Sequence, residues 1–150
     1  MEIVNLKDKL KYLGEVISLE HDYWASNKDY MREERIEEKK HRVIDFFSNK
    51  AFCKLLLIDN KELIGFISLF PEDAKEEPDL SPWLATLYVK NNYRGKGYSK
   101  LLVDAIINEA RSRGFSVLYL KTELENYYEK FGAKYLKMIK GSEKLYKIDV

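Results

Sequence analysis

The sequence predicts an α/β protein in the mixed α+β sense: a mixed central sheet with helices on its faces. Three observations lead there. Leu6, Leu10, Leu13 and Ile17 recur at spacings of three and four, the period of one buried helix face. Two apolar runs, Phe52–Asp59 and Leu63–Phe70, flank the polar connection Asn60-Lys61-Glu62, as the arms of a β-hairpin do. Last, a strand pattern at Trp83–Val89 is followed by a glycine-containing loop, by a helical face of Leu101, Leu102, Ala105, Ile106 and Ala110, and by an apolar run at Phe115–Lys121. Strand, loop, helix and strand in that order favour parallel neighbours.

The remaining elements follow along the chain. Ile3 and Val4 suggest a short first strand, and the helix after it is expected over Asp8–Tyr23. Ser26-Asn27 interrupts it, and the charged segment Lys28–Phe47, with Ile36, Val43, Ile44 and Phe47 as a narrow stripe, predicts a second, largely exposed helix. Pro71–Asp79 carries Glu72, Asp73, Glu76, Glu77 and Asp79 with prolines at both ends and no apolar period, so it reads as a loop. Arg113-Gly114 closes the helix that follows the glycine loop, with a basic last turn and a terminal glycine. A short helix is expected over Leu124–Phe131, ended by Gly132. Two last strands, near Lys134–Ile139 and Lys144–Ile148, flank Gly141-Ser142.

At 150 residues, without a linker or an internal repeat, the chain reads as one domain, 1–150. A content of 45% hydrophobic and 34% charged residues argues against both disorder and a membrane span. The net charge of +1 creates no general attraction for nucleic acid or an anionic membrane. The opening Met1–Asn5 lacks the pattern of a secretory signal, and Cys53 stands alone, which excludes an internal disulfide and a multi-cysteine metal site. A cytoplasmic protein without a metal is the expectation.

The residues with the most chemistry are Arg94-Gly95-Lys96-Gly97-Tyr98-Ser99. A backbone that wraps a phosphate needs residues without side chains in the way, and a helix that starts there aims free N–H groups and a positive dipole end at the anion. A dinucleotide fingerprint would need glycine where Lys100 stands, and a P-loop would need glycine five residues before a Gly-Lys-Ser/Thr triplet. The pattern Arg/Gln-x-x-Gly-x-Gly/Ala fits better, through Arg94, Gly97 and the small Ser99.

With that loop, preceded by Leu87-Tyr88-Val89, and with Tyr127-Tyr128-Glu129-Lys130-Phe131-Gly132-Ala133 further on, the chain resembles the GNAT superfamily of acyl-CoA-dependent N-acetyltransferases. Leu80–Ala85 and Leu118–Thr122 resemble a bacterial subgroup of it. The match runs from about Leu63 to Ala133, with Ser99, Lys121 and Ala133 departing from the family pattern.

The resemblance implies a mixed sheet whose parallel strands splay into an acyl-CoA cleft. Acetyl-CoA, the implied cosubstrate, would lie with its pantetheine arm along Leu87, Tyr88 and Val89 and its pyrophosphate on Arg94, Gly95, Lys96, Gly97, Tyr98 and Ser99. Transfer to an amine needs a neutral nucleophile, an oxyanion donor and a proton for the departing thiolate. A backbone N–H near Leu87–Val89 would be the oxyanion donor, and Tyr128 matches the family tyrosine that meets the thiolate. The strand glutamate many relatives use as base is absent; Asp79 is the nearest carboxylate, with Glu123, Glu125 and an ordered water as alternatives. His21 reads as a half-buried helix-end residue, His41 as surface and Cys53 as inert core.

The expected function is acetyl transfer to a small-molecule or peptide amine by direct attack. The acidic loop favours a cationic acceptor. The alternative, motivated by the absent strand glutamate, is a non-catalytic acyl-CoA-binding regulatory module.

Overall fold

The computed structural model describes residues 1–150. The chain runs β1 (Glu2–Asn5), α1 (Leu13–Trp24), α2 (Arg32–Phe46), β2 (Cys53–Asp59), β3 (Glu62–Phe70), β4 (Trp83–Val89), α3 (Tyr98–Ser112), β5 (Val117–Thr122), β6 (Lys134–Lys140) and β7 (Glu143–Asp149). The strands form one mixed sheet in the order β1-β2-β3-β4-β5-β7-β6. Both faces are covered, which is why β2 and β3 read as continuous apolar runs rather than alternating ones. Leu56, Ile58 and Phe66 pack toward α1 and α2, while Leu55, Leu57, Ile64, Ile67 and Leu69 join Leu102, Val103 and Ile106 of α3. Each of those fully buried side chains contributes about 1.5–3 kcal/mol relative to exposure.

The β2–β3 hairpin turns through Asn60 and Lys61, both left-handed at φ 49° and 66°, as a two-residue turn matched to the strand twist requires. At the end of α3, Phe115 N–H donates to Ala110 O and Gly114 N–H to Arg111 O, with Gly114 at φ 88°. That paired closure is the one Arg113-Gly114 predicts.

Three element boundaries differ from expectation. The first helix begins at Leu13, not Asp8: two single 3-10 turns, Leu6–Asp8 and Leu10–Tyr12, precede it. Asn5 caps the first by accepting from Lys7 N–H, and Lys9 at φ −139° separates them. Leu6 is sealed in the core but Leu10 is half exposed, so the apolar spacing there is not one helix face. The second helix starts at Arg32, because Met31 is left-handed at φ 47° and ends the preceding turns. The expected helix over Leu124–Phe131 is only a 3-10 turn, Tyr128–Phe131.

Antiparallel pairing joins every neighbouring strand pair except β4 and β5. Those two run parallel through the single register pair Trp83 and Tyr119, with Tyr119 N–H donating to Pro82 O at 3.0 Å. Beyond that rung no ladder connects them, and the sheet opens into a cleft.

Candidate active site

At one end of the cleft lies the turn into α3. Gly95 and Gly97 are left-handed, at φ 77° and 82°, and Gly97 caps α3 without a side-chain hydrogen bond. The amides of Gly95, Lys96 and Gly97 donate to no acceptor in the chain. A Cβ added at either glycine would meet nothing within 4 Å, so both face open space. Free N–H groups, a helix N-terminus and an unobstructed concavity fit a pyrophosphate. Arg94 is turned inward instead: its Nε donates to Val89 O at 2.8 Å, and its guanidinium lies over the Tyr88 ring.

A cavity of about 290 Å³ follows this loop. Of the nine residues expected to hold the cosubstrate, Leu87, Tyr88, Val89, Arg94, Gly95, Gly97, Tyr98 and Ser99 line it. Lys96 does not, and its ammonium rests over Tyr93. Tyr23, from the end of α1, closes the opposite wall.

Next to it the gap between β4 and β5 forms a second cavity of about 530 Å³, walled by Leu84–Leu87, Leu120 and Lys121. Here β4 bulges. Phe66 pairs with Tyr88 while Ser68 pairs with Ala85, so β4 carries one residue more than β3, and Thr86 is left-handed at φ 47°. Such a bulge frees backbone groups from the ladder and re-aims them. Gly65 permits it, since a Cβ there would stand 2.4 Å from Tyr88 O.

Tyr128 lies on the same wall. Burial pushes its phenol up to about 12, and its hydroxyl bonds to nothing in the chain although it is not sealed from solvent. It therefore stays protonated and free to donate. The neighbouring Tyr127 ties this turn to the glycine loop, with its hydroxyl 2.7 Å from Ser99 Oγ.

Asp79 is exposed and lines neither cavity of the cleft. The acid that does face it from the same loop is Asp73. Burial raises its carboxyl to about 6, with nearby Lys121 opposing and Glu143 reinforcing the shift. Glu123 and Glu125 point away, to Ser142 and Lys144. Of the remaining loop acids, Glu77 is paired with Lys137, and Glu72 and Glu76 are exposed.

His21 is fully buried, not half-buried. Its Nε2 is 2.8 Å from Lys28 O and its Nδ1 2.8 Å from Lys39 Nζ, so the ring joins α1 to α2 and to the turn between them. Cys53 is buried, and burial raises its thiol to about 11, which makes it a poor nucleophile.

This arrangement of loop, splayed strands and tyrosine turn has counterparts among known proteins. Residues 16–133 match the model of the Acetyltransferase (GNAT) family. The chain belongs to that family. Acetyl-CoA is accordingly its cosubstrate and acetyl transfer its activity. A curated relative, N-alpha-acetyltransferase 30 of Schizosaccharomyces pombe, is 23% identical over 78% of this chain and 81% of its own. Among solved structures, a ribosomal-protein-alanine N-acetyltransferase from Brucella melitensis superposes with a TM-score of 0.70 at 19% identity over the full length of both chains. A PaiA N-acetyltransferase from Thermoplasma acidophilum, in complex with coenzyme A, gives 0.65 at 24%, again over both full chains.

Trp24, Asp73, Thr86 and Glu143 line the GNAT cleft of this chain without having been sequence candidates for catalysis or cosubstrate binding. They come from four separate segments.

Proposed function

We propose that residues 1–150 act as one cytoplasmic N-acetyltransferase domain that transfers acetyl by direct attack of a bound amine, with Asp73 taking the amine proton and Tyr128 meeting the departing thiolate. When bound, acetyl-CoA supplies the activated acetyl thioester. Leu87, Tyr88, Val89 and the residues Arg94, Gly95, Lys96, Gly97, Tyr98 and Ser99 hold it. Asp73 accepts the proton of the attacking amine, for which a carboxylate of pKa about 6 in a partly desolvated wall suits neutral pH. Tyr128 donates a hydrogen bond to the departing thiolate and, with its phenol at about 12, keeps its own proton, so that the thiolate leaves as such or takes a proton from solvent. Backbone N–H groups freed at the Thr86–Leu87 bulge oppose the charge that develops on the acyl oxygen.

The observation that carries this reading is the presence, in one cavity with the bulge, of an unpartnered tyrosine hydroxyl and a half-buried carboxylate. Asp73 replaces Asp79 in the role of base because only Asp73 faces the cleft. It also removes the reason for a non-catalytic acyl-CoA-binding module, which was the lack of a carboxylate on the strand. Asp73 and Glu143 at the amine side favour a cationic acceptor, small molecule or peptide. The test is a thiol-release assay with acetyl-CoA and a panel of amines. Release that depends on the amine, with acetylated amine as product, is expected; release without any amine, or none with every amine, overturns the reading.

A further inference from the structure

Thr86 is β-branched and left-handed, at φ 47°, a region such residues avoid, and it stands in the bulge of β4 beside the cleft. Backbone strain of this kind persists only where surrounding groups over-determine it. Ser68 of β3 is the register partner of Ala85, so in a regular strand the next residue, Thr86, would point to the opposite face of the sheet. The bulge brings it to Ser68's face instead, where its hydroxyl donates to Ser68 Oγ at 2.5 Å. That bond exists only while β4 is bulged. Its net strength therefore favours the bulged strand over the regular one, by roughly 3- to 10-fold in population.

Ser68 is itself fixed as an acceptor. It is 0% exposed, and Lys54, its register partner on β2 and 1% exposed, donates to the same oxygen at 2.8 Å. An ammonium only donates, so the two lone pairs of Ser68 Oγ receive Lys54 and Thr86. Lys54 Nζ also lies 3.0 Å from each carboxylate oxygen of Glu20 on α1, which balances its charge and fixes its place. A buried ion pair seldom adds stability over apolar residues of the same volume, so its presence asks for another reason. The row of Glu20, Lys54, Ser68 and Thr86 supplies one, since it runs from α1 across β2 and β3 and ends on the bulge.

We propose that Ser68 is a positioning residue for acetyl transfer: anchored by the Glu20–Lys54 pair, it holds the Thr86 hydroxyl, keeps β4 bulged, and so keeps the freed backbone N–H groups aimed at the acyl oxygen of the thioester. Ser68 is sealed from the cleft and acts only through Thr86. The assignment rests on the oxyanion role proposed for the bulge, and the experiment separates the two.

The probe is acetyl-CoA labelled with carbon-13 at its carbonyl, bound to the protein without an acceptor. A hydrogen bond to the carbonyl oxygen draws electron density from the carbon and moves its resonance downfield, so in wild type the bound signal should lie downfield of the free one. Thr86→Val keeps the branched shape and removes only the hydroxyl. It should lose roughly half or more of that displacement, while acetyl-CoA affinity read by calorimetry stays within about twofold, because the glycine loop is untouched. Thr86→Ser, which returns the hydroxyl, should recover the displacement. Ser68→Ala should match Thr86→Val, and the double variant should be no worse than either, since both remove one and the same bond. Thr86→Val also leaves the contact between Lys54 and Ser68 whole, so it decides the matter should Ser68→Ala fail to fold. A displacement that survives Thr86→Val, losses that add in the double variant, or no recovery in Thr86→Ser overturns the positioning residue alone. A wild-type signal at the free position overturns the oxyanion reading of the bulge, and the positioning residue with it.

Discussion

At the glycine-loop end of the cleft the groups proposed to bind are backbone amides within one stretch, Arg94 to Ser99, whereas at the proposed amine end they are side chains brought in separately. Trp24 comes from α1, Asp73 from the loop before β4, Tyr128 from a 3-10 turn and Glu143 from β7. The first end depends on φ values and on the absence of Cβ atoms. The second depends on burial, which is the main cause that turns an ordinary aspartate and an ordinary tyrosine into groups with shifted proton affinity. On the proposed roles, one cleft uses conformation to bind and desolvation to react.

Substitutions at the two ends should therefore fail differently. Gly97→Val should have the largest effect: a branched side chain at φ 82° is strained and stands in the space the loop keeps open. Acetyl-CoA affinity measured by calorimetry should fall roughly 100-fold or more, and an unchanged affinity in a folded protein would detach the cosubstrate from the loop. Tyr128→Phe should show the reverse split, with kcat lower by roughly 10- to 1000-fold and acetyl-CoA affinity unaltered. Wild-type turnover would make Tyr128 a packing residue.

Asp73→Asn should sharpen the comparison further by separating activity from stability. Activity should drop roughly 10- to 100-fold, and the rise of kcat/KM with pH through about 6 should disappear. Stability should move the other way. The native carboxyl holds its proton to a higher pH than the ordinary 3.8, so between 3.8 and about 6 the native state binds more protons than the unfolded one. Stability thus falls as pH rises through that window, and the cost persists above it. Asparagine removes the cost, so urea denaturation near pH 7.5 should show a gain on the order of 1 kcal/mol, and none at pH 3. The smallest effect belongs to Glu76→Lys. Glu76 is exposed, and screening over about 8 Å leaves it little reach. The KM for a cationic amine should rise by at most about threefold at low salt and not at all at physiological ionic strength.

The same contrast explains what the sequence disclosed. The glycine loop and the tyrosine turn are contiguous, and their spacing carries their geometry. The hairpin was equally plain, because Asn60-Lys61 sits between two uninterrupted apolar runs. Asp73 could not be told from Asp79 by composition, since both lie in one acidic loop and only folding decides which is desolvated. The start of the first helix was obscured because Leu10, in phase with Leu6 and Leu13, belongs to a separate turn. Thr86 carried no signal at all, as threonine is an unfavourable choice for a left-handed position. Lys54 and Ser68 did: each interrupts an apolar strand, and the two are partners across the hairpin register.

The one rung at Trp83 and Tyr119 has a mechanical meaning. It pins a four-stranded and a three-stranded antiparallel sheet at one corner, with α3 packed against β3, β4 and β5 as a brace across the join. Backbone amides along the open part of the join lack the partner strand that slows hydrogen exchange elsewhere in the sheet. A ligand lying between the two halves is thus loaded like a peg in tweezers, and it tightens the whole protein by mass action in proportion to how well it fills the opening.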